Sequence, residues 1–597
     1  MRFARIRTVS TLLNLSVAMF VAGCSSSVPD APGPTTDTGQ RKGGETDTEK
    51  CRRKLATAIQ RLTPERMATQ DDPERSVNGL NAWIASCASD QAEAMKTSDE
   101  TLSLLNNSAR VTAGRFSGVD ALYVRDSLMM RDLYQSLSRQ FADADVANRD
   151  VANRDVARVM QAFAWATRNI SLLPSDDSRP PLGLFDIVMT GFGTAEDRTW
   201  AFAELLRQQQ IDAVIVSTAA EPKSEGTDLD TAAWIVAVIR NDDGLLFDVA
   251  NGVPITVDEI SDAANPVAAK LSVLKAHERW KESTVQVIGQ VATFSPRMLV
   301  LQDQLSAEDS AVLFEELTGG VSDIRPLTER VMAAGGDLWS IADIAVWPHP
   351  EDRVIRSNSL TEEELGDYKQ LMRPFAAPFE RDVLKPESAE ERTSVPEEMT
   401  DEERYQFAQQ RMMERFQEVT KSTDKLFGKP SYRLLKARTQ QVLGVTDTSI
   451  IQQLQQIRLT SLDEMIEIQV PDEVLRQFPG MPKSMAYELP AVIQNVNRSS
   501  TGSSMYWTAL SQLDRGETGV GISTMTNYRN QYPDGQWKYP SLINQATALL
   551  SLDRSEEAMQ ALKDANVADN PEQRRVQRLL NALGAEAVAK PESEVKN

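Results

Sequence analysis

The strand-type runs that stand out in this 597-residue chain lie together in one short stretch, and that grouping constrains the fold more than any other feature. Ile211–Ser217 (IDAVIVS), Ala232–Ile239 (AAWIVAVI) and Leu245–Val249 (LLFDV) are rich in β-branched and apolar residues. Asn241-Asp-Asp-Gly244 separates the last two with strong turn chemistry, so a hairpin is expected there. A helical pattern precedes these runs, and helix dominates again from about Ala263. The expected class is α+β, predominantly helical, with a small antiparallel sheet in a central domain. The length suggests about three or four structural units.

The amino terminus sets the compartment. Arg2, Arg5 and Arg7 form a basic start, followed by an apolar stretch from Leu12 to Gly23. That stretch is too short to span a bilayer, which takes roughly 20 residues, and fits the apolar region of a cleavable signal. It ends in Val21-Ala22-Gly23-Cys24, which resembles the bacterial lipobox. The resemblance implies removal of residues 1–23 and acylation (a thioether lipid and a palmitate-type chain) on Cys24. Ser25, rather than Asp, after the cysteine implies sorting to the outer membrane, with the body expected on its periplasmic face. Residues 24–49 are rich in Ser, Thr, Pro and Gly without apolar periodicity and read as a disordered tether, with a reach of roughly 25–30 Å. The formal charge of −22, from 86 acidic and 64 basic side chains, excludes nucleic acid as an expected partner. It also disfavours adhesion to anionic headgroups, so contact with the membrane is expected through the lipid anchor alone.

Two further cysteines remain, Cys51 and Cys87. Helical patterns from about Lys50 to Leu62 and from about Ser76 to Lys96 flank a turn-rich stretch, Thr63 to Pro73. A helical hairpin would place the two thiols about equally far from the bend, and an oxidising envelope would join them. Closing that loop is worth about 4 kcal/mol in the chain-entropy description.

Residues 50–160 read as an N-terminal helical region. Within it a pentad repeats in tandem from Asp145, Asp150 and Asp155, a period that matches no helix and reads as a duplication lengthening a loop or helix end. Residues 161–262 form the mixed central domain, 263–384 a helical extension and 385–403 an acidic, Pro-rich linker. Thr400-Asp-Glu-Glu403 is a capping-box start for the next helix. A helical region is expected over 404–500, helical repeats over 501–585 and a disordered tail over 586–597. The repeats rest on Ala509-Leu-Ser-Gln-Leu-Asp-Arg515 recurring as Ala548-Leu-Leu-Ser-Leu-Asp-Arg554, an offset of 39. From about Gly502 to Leu583 this resembles tetratricopeptide-type repeats, which implies a surface for a protein or peptide partner.

The central stretch resembles the transglutaminase-like, papain-type thiol domain. In that family a glycine, one residue and a nucleophilic cysteine open a helix ending Leu-Leu-Arg. A strand bearing His-Ala-Trp follows, then an aspartate on the next strand. Here the matching residues are Gly193-Thr194-Ala195-Glu196-Asp197-Arg198, Leu205-Leu206-Arg207, Ala232-Ala233-Trp234 and Phe247-Asp248. The family's thiolate is favoured by the helix dipole and a histidine, which the aspartate orients. Ala195 stands at the nucleophile position and Ala232 at the histidine position, so only Asp248 remains of the triad. Thr194 and Asp197 are expected to cap the helix rather than act on a substrate.

No replacement chemistry is evident. The two histidines, His277 and His349, lie outside the hairpin, and the cysteines are committed to lipid and disulfide, so no metal site and no cofactor are expected. The leading expectation is a non-catalytic envelope scaffold or binding protein. The alternative is a hydrolase or transferase that acts on envelope peptide or glycan through carboxylates in the same cleft. A structural outer-membrane component without a specific ligand is a third reading.

Overall fold

The computed structural model describes residues 46–67, 73–94, 114–144, 151–174, 179–217, 234–240, 243–255, 284–287, 296–305, 329–334, 345–346, 359–380, 399–404, 429–445, 447–460, 465–469 and 483–589, with a few short stretches between. Cys24, Ala232, His277, His349, most of the 385–403 stretch and the first pentad copy lie outside the described residues. Two compact units are formed, residues 1–50 and 51–597. Of the first, only the opening turn of α1 (Asp47–Arg61) is described, started by a Thr46–Glu49 capping box.

After the short α2 (Pro64–Met67), α3 (Pro73–Cys87) runs back along α1 and leads into α4 (Ser89–Ala94). Leu55, Ala58 and Leu62 meet Val77, Leu80, Trp83 and Ile84 in a local apolar core. The backbones approach closely at Gly79, where a Cβ would sit 3.1 Å from that of Ala58. Cys51 and Cys87 are joined as a disulfide across this hairpin, their Cα atoms 5.8 Å apart.

Long helices α5 (Gly118–Ala144) and α6 (Val151–Asn169) follow, α6 absorbing the later pentad copies from Val151. Then come β1 (Ser171–Leu172), α7 (Leu184–Thr190), β2 (Phe192–Gly193) and α8 (Ala195–Gln208). The sheet is built from β3 (Ala213–Ser217), β4 (Ile235–Arg240), β5 (Asp243–Asp248), β6 (Val253–Pro254), β7 (Thr284–Val287) and β8 (Ala345–Val346), in the order β6-β5-β4-β3-β7-β8. Neighbours are antiparallel except β7 and β8. The expected β4–β5 hairpin is present, and its Arg240↔Asp243 register leaves two residues for the turn.

The sheet is wider than the sequence implied, because β7 and β8 come from the stretch read as a helical extension. Four and two residues are too few to register against helical periodicity, and they become strands by adding to the edge that β3 offers. Both faces of β3, β4 and β5 are covered. Ala213, Ile215, Val236, Val238, Leu245 and Phe247 join one core with α5, α6 and α8, while the alternate residues Val214, Val216, Ile235, Ala237 and Leu246 are equally buried. Double burial explains why these strands read as continuous apolar runs.

Helix α9 (Pro296–Leu305) precedes α10 (Glu362–Met372), which continues into a 3-10 turn over Arg373–Ala376. The short pair β9 (Phe379–Glu380) and β10 (Lys429–Pro430) leads to α11 (Arg433–Val442) and α12 (Thr448–Thr460). Thr400 and Glu403 form the expected capping box. An antiparallel hairpin of β11 (Met465–Gln469) and β12 (Ser484–Glu488) interrupts a region read as helical. The repeat stretch forms helix pairs, α13 (Ala491–Asp514) with α14 (Thr518–Gln531) and α15 (Lys538–Leu550) with α16 (Ser555–Ala565), closed by α17 (Gln573–Ala589). The two copies of the repeated heptapeptide end α13 and α15.

This carboxyl-terminal array shares the central core. Met505, Tyr506, Trp507, Tyr528 and Trp537 belong to the same apolar cluster as α6, α7, α8 and the sheet, with Leu434, Leu435, Ile450 and Leu454. Buried Arg438 ties the layers together. It donates to the carbonyls of Val188 at 2.8 Å and Met189 at 3.3 Å, near the end of α7, with its guanidinium carbon 4.7 Å from the Trp507 ring centroid. Burial lowers its pKa to about 9.

The start of helix α8

Local chemistry starts α8. Thr194 accepts from the Asp197 amide at 3.1 Å, and the Asp197 carboxylate accepts from the Thr194 amide at 2.9 Å, a reciprocal cap. Gly193 permits it, since a Cβ there would lie 2.7 Å from that of Asp197. Gly191, at φ +72°, ends α7 in the left-handed conformation and lets Trp537 come close. Ala195 is the first residue of the helix and is half-buried, while Thr194 is exposed. The helix end that could favour a thiolate is thus formed, with a methyl group at its head.

Three residues further on, the helix is held from far away. Arg198 is fully buried; it donates to Ile170 O at 2.8 Å and Val249 O at 3.4 Å and pairs with Glu572 at 2.5 Å. Glu572 also accepts from Arg575 at 2.8 Å and from the Leu172 amide at 3.1 Å. Burial pushes the Glu572 carboxyl up, but Arg198 and Arg575 outweigh it and hold its pKa below the usual carboxylate range. Burial lowers the pKa of Arg198. The segment leading into α17 thus lies against the amino-terminal end of α8. Gly252, at φ +61°, makes room for it, a Cβ there falling 2.9 Å from Arg575 Cδ.

Asp248 is buried at the end of β5. It accepts from the Asn251 amide at 2.9 Å and the Asn251 side chain at 2.7 Å, with Arg578 3.5 Å away. Phe247 packs on Phe202 of α8, with centroids 5.4 Å apart. Strand alternation turns the adjacent Asp248 to the opposite face, away from α8. Ala195 and Asp248 are therefore not brought together as an acid–base site, and Ala232 lies outside the described residues. Val249 N donates to Trp234 O at 2.9 Å, so the hairpin continues one residue past β4, and Trp234 packs against the core.

Carboxylates do gather at the other end of α8. Glu204 and Arg207 pair within the helix, and Arg207 reaches Ser127 on α5 at 3.2 Å. Arg125 pairs with Asp126 at 2.7 Å, and Tyr368 donates to Asp186 at 3.1 Å. Burial raises the pKa of Asp126 to about 6 and also raises those of Asp186 and Glu204. Each acid keeps a cationic or hydroxyl partner, the pattern of a structural ion cluster. Among the described residues no group of three or more His, Cys, Asp or Glu could hold a metal ion, and no helix is long and apolar enough to cross a membrane.

Sequence reasoning reached Thr194, Ala195, Asp197 and Asp248 but not Glu572, Arg575, Arg578 or Arg438. Those four sit in helices or, for Glu572, just before one, where charged residues are the norm, and Glu572 lies 374 residues from its partner. No periodic signal marks them. Comparison with protein-family models, curated proteins and solved structures found no match.

Proposed function

We propose that the protein is a lipid-anchored, non-catalytic scaffold or binding protein of the bacterial envelope, built on a degenerate transglutaminase-like domain. One observation carries the reading: at the helix start where that family's nucleophile belongs stands Ala195, and Asp248 is committed to Asn251 and Arg578 on the other face of the sheet. The acidic groups at the far end of α8 are engaged with Arg125, Arg207 and Tyr368, so this cluster, among the described residues, does not favour the carboxylate-enzyme alternative. The carboxyl-terminal helix pairs supply an interaction surface joined to the central core, suited to a protein or peptide partner.

Purified mature protein should neither hydrolyse nor cross-link peptide substrates. A turnover abolished by Asp248→Ala would overturn the reading. The anchor is tested separately: Cys24→Ser should remove fatty-acid labelling and release the protein from the outer-membrane fraction. Unchanged labelling would sink the lipoprotein assignment.

A further inference from the structure

A cavity of about 490 Å³ opens beside β2, between α10 with its 3-10 extension and α13. Its size is that of a small-ligand site, with room for two or three amino-acid residues. The protein as a whole is strongly acidic, yet no residue lining this cavity is acidic, and three are cationic: Arg179, Lys369 and Arg373. Phe192 and Phe375 contribute aromatic surface, and the buried Trp507 ring backs Phe375, their centroids 5.8 Å apart. Asn495 and Gln536 add amides that match a peptide backbone.

Two donors on residues that line the cavity lack an acceptor, both of them beneath its surface. Arg179 Nη1 is buried without a hydrogen-bond partner, although its Nε meets Asp177 at 3.2 Å. Trp507 Nε1 is likewise buried and unsatisfied. The Arg179 side chain is 26% exposed, so the accessible part of its guanidinium can be met by a carboxylate, the acceptor that suits it best. Arg179 also lies over Phe192, 5.6 Å from its centroid, which fixes the plane of its fork.

We infer that this cavity binds the free carboxyl terminus of a short peptide, with the carboxylate at Arg179 and Lys369 and an apolar side chain against Phe375. The inference deepens the binding-protein reading by naming the partner's chemistry. A peptide cleaved by the protein would sink that reading, whereas a peptide never bound sinks only this one.

The test is calorimetric titration of the full mature protein with the tripeptide Ala-Leu-Phe, as free acid and as carboxyl-terminal amide, with inorganic phosphate as a further arm. The free acid should bind saturably at one site, and the amide about tenfold or more weaker. Arg179→Gln and Lys369→Gln should each weaken the free acid by about tenfold, and exposed Lys369 can be replaced without disturbing the core. Absence of binding, equal affinity for acid and amide, or unchanged affinity in both variants would overturn the proposal. Phosphate binding as tightly as the peptide would show a general anion site and overturn it too.

Discussion

The two ends of α8 are stabilised in opposite electrostatic senses. At the amino-terminal end Arg198 and Arg575 enclose Glu572, so its carboxylate is held charged and its pKa falls. At the carboxyl-terminal end burial dominates over the nearby guanidiniums, and Asp126, Asp186 and Glu204 all have raised pKa values. The difference is one of partner count: Glu572 has two cations and a backbone amide, while Asp126 has Arg125 with further acids nearby. A buried acid becomes a stable anion only when its partners together exceed the cost of leaving water.

The largest effect should come from breaking the well-compensated end. Arg198→Met leaves Glu572 buried beside Arg575 alone and should cost about 4 kcal/mol in chemical denaturation. Arg198→Met with Glu572→Met should regain part of that loss, since no uncompensated buried carboxylate is left. If the double variant were as unstable as the single one, the Arg198–Glu572 pair would not be what joins the array to α8.

Next is the pH dependence of the opposite end. A folded pKa of about 6 against 3.8 means the native state binds the Asp126 proton more tightly than the unfolded chain. Stability from this group is therefore present below pH 4 and lost as pH rises to 6, by up to about 3 kcal/mol. Asp126→Asn should remove that slope from a series of thermal melts. Glu572 acts in the other direction: its lowered pKa contributes stability above its unfolded value, which is lost on acidification. Glu572→Gln should therefore flatten the acid side of the same series.

Arg207→Met should cost about 2 kcal/mol at neutral pH, and less toward pH 5, because Glu204 can take up a proton once its Arg207 bonds are lost. A loss independent of pH would show that Arg207 acts through packing on Tyr123 rather than through Glu204. The smallest effect belongs to the cap: Thr194→Ala should cost about 1 kcal/mol. A much larger loss would mean that the start of α8 is held mainly by its own cap rather than by Arg198.

What was legible in the sequence divides along the same line. Thr194 and Asp197 lie three residues apart, and their reciprocal bonds follow from that spacing alone. The Thr400–Glu403 cap and the Cys51–Cys87 hairpin were readable for the same reason, each lying within one helix turn or one helical hairpin. Strands β7 and β8 were not, since four and two residues are too short a run to read as strands, even with β-branched Thr284, Val285 and Val287, until an edge is offered to them. Nothing in its local sequence marks Arg438, and only its burial against Val188, Met189 and Trp507 makes it a tie between layers.

Sequence alone determined the local grammar: a helical chain with one apolar hairpin, a capped helix before it, and a disulfide near its start. Tertiary structure decided which distant charges meet, which face of the sheet Asp248 takes, and that the carboxyl-terminal helices share the central core. The physical reason is range. Caps, turns and periodicity act over a few residues and leave their mark in spacing, whereas a buried ion pair between residues 198 and 572 exists only after desolvation brings both ends into one interior.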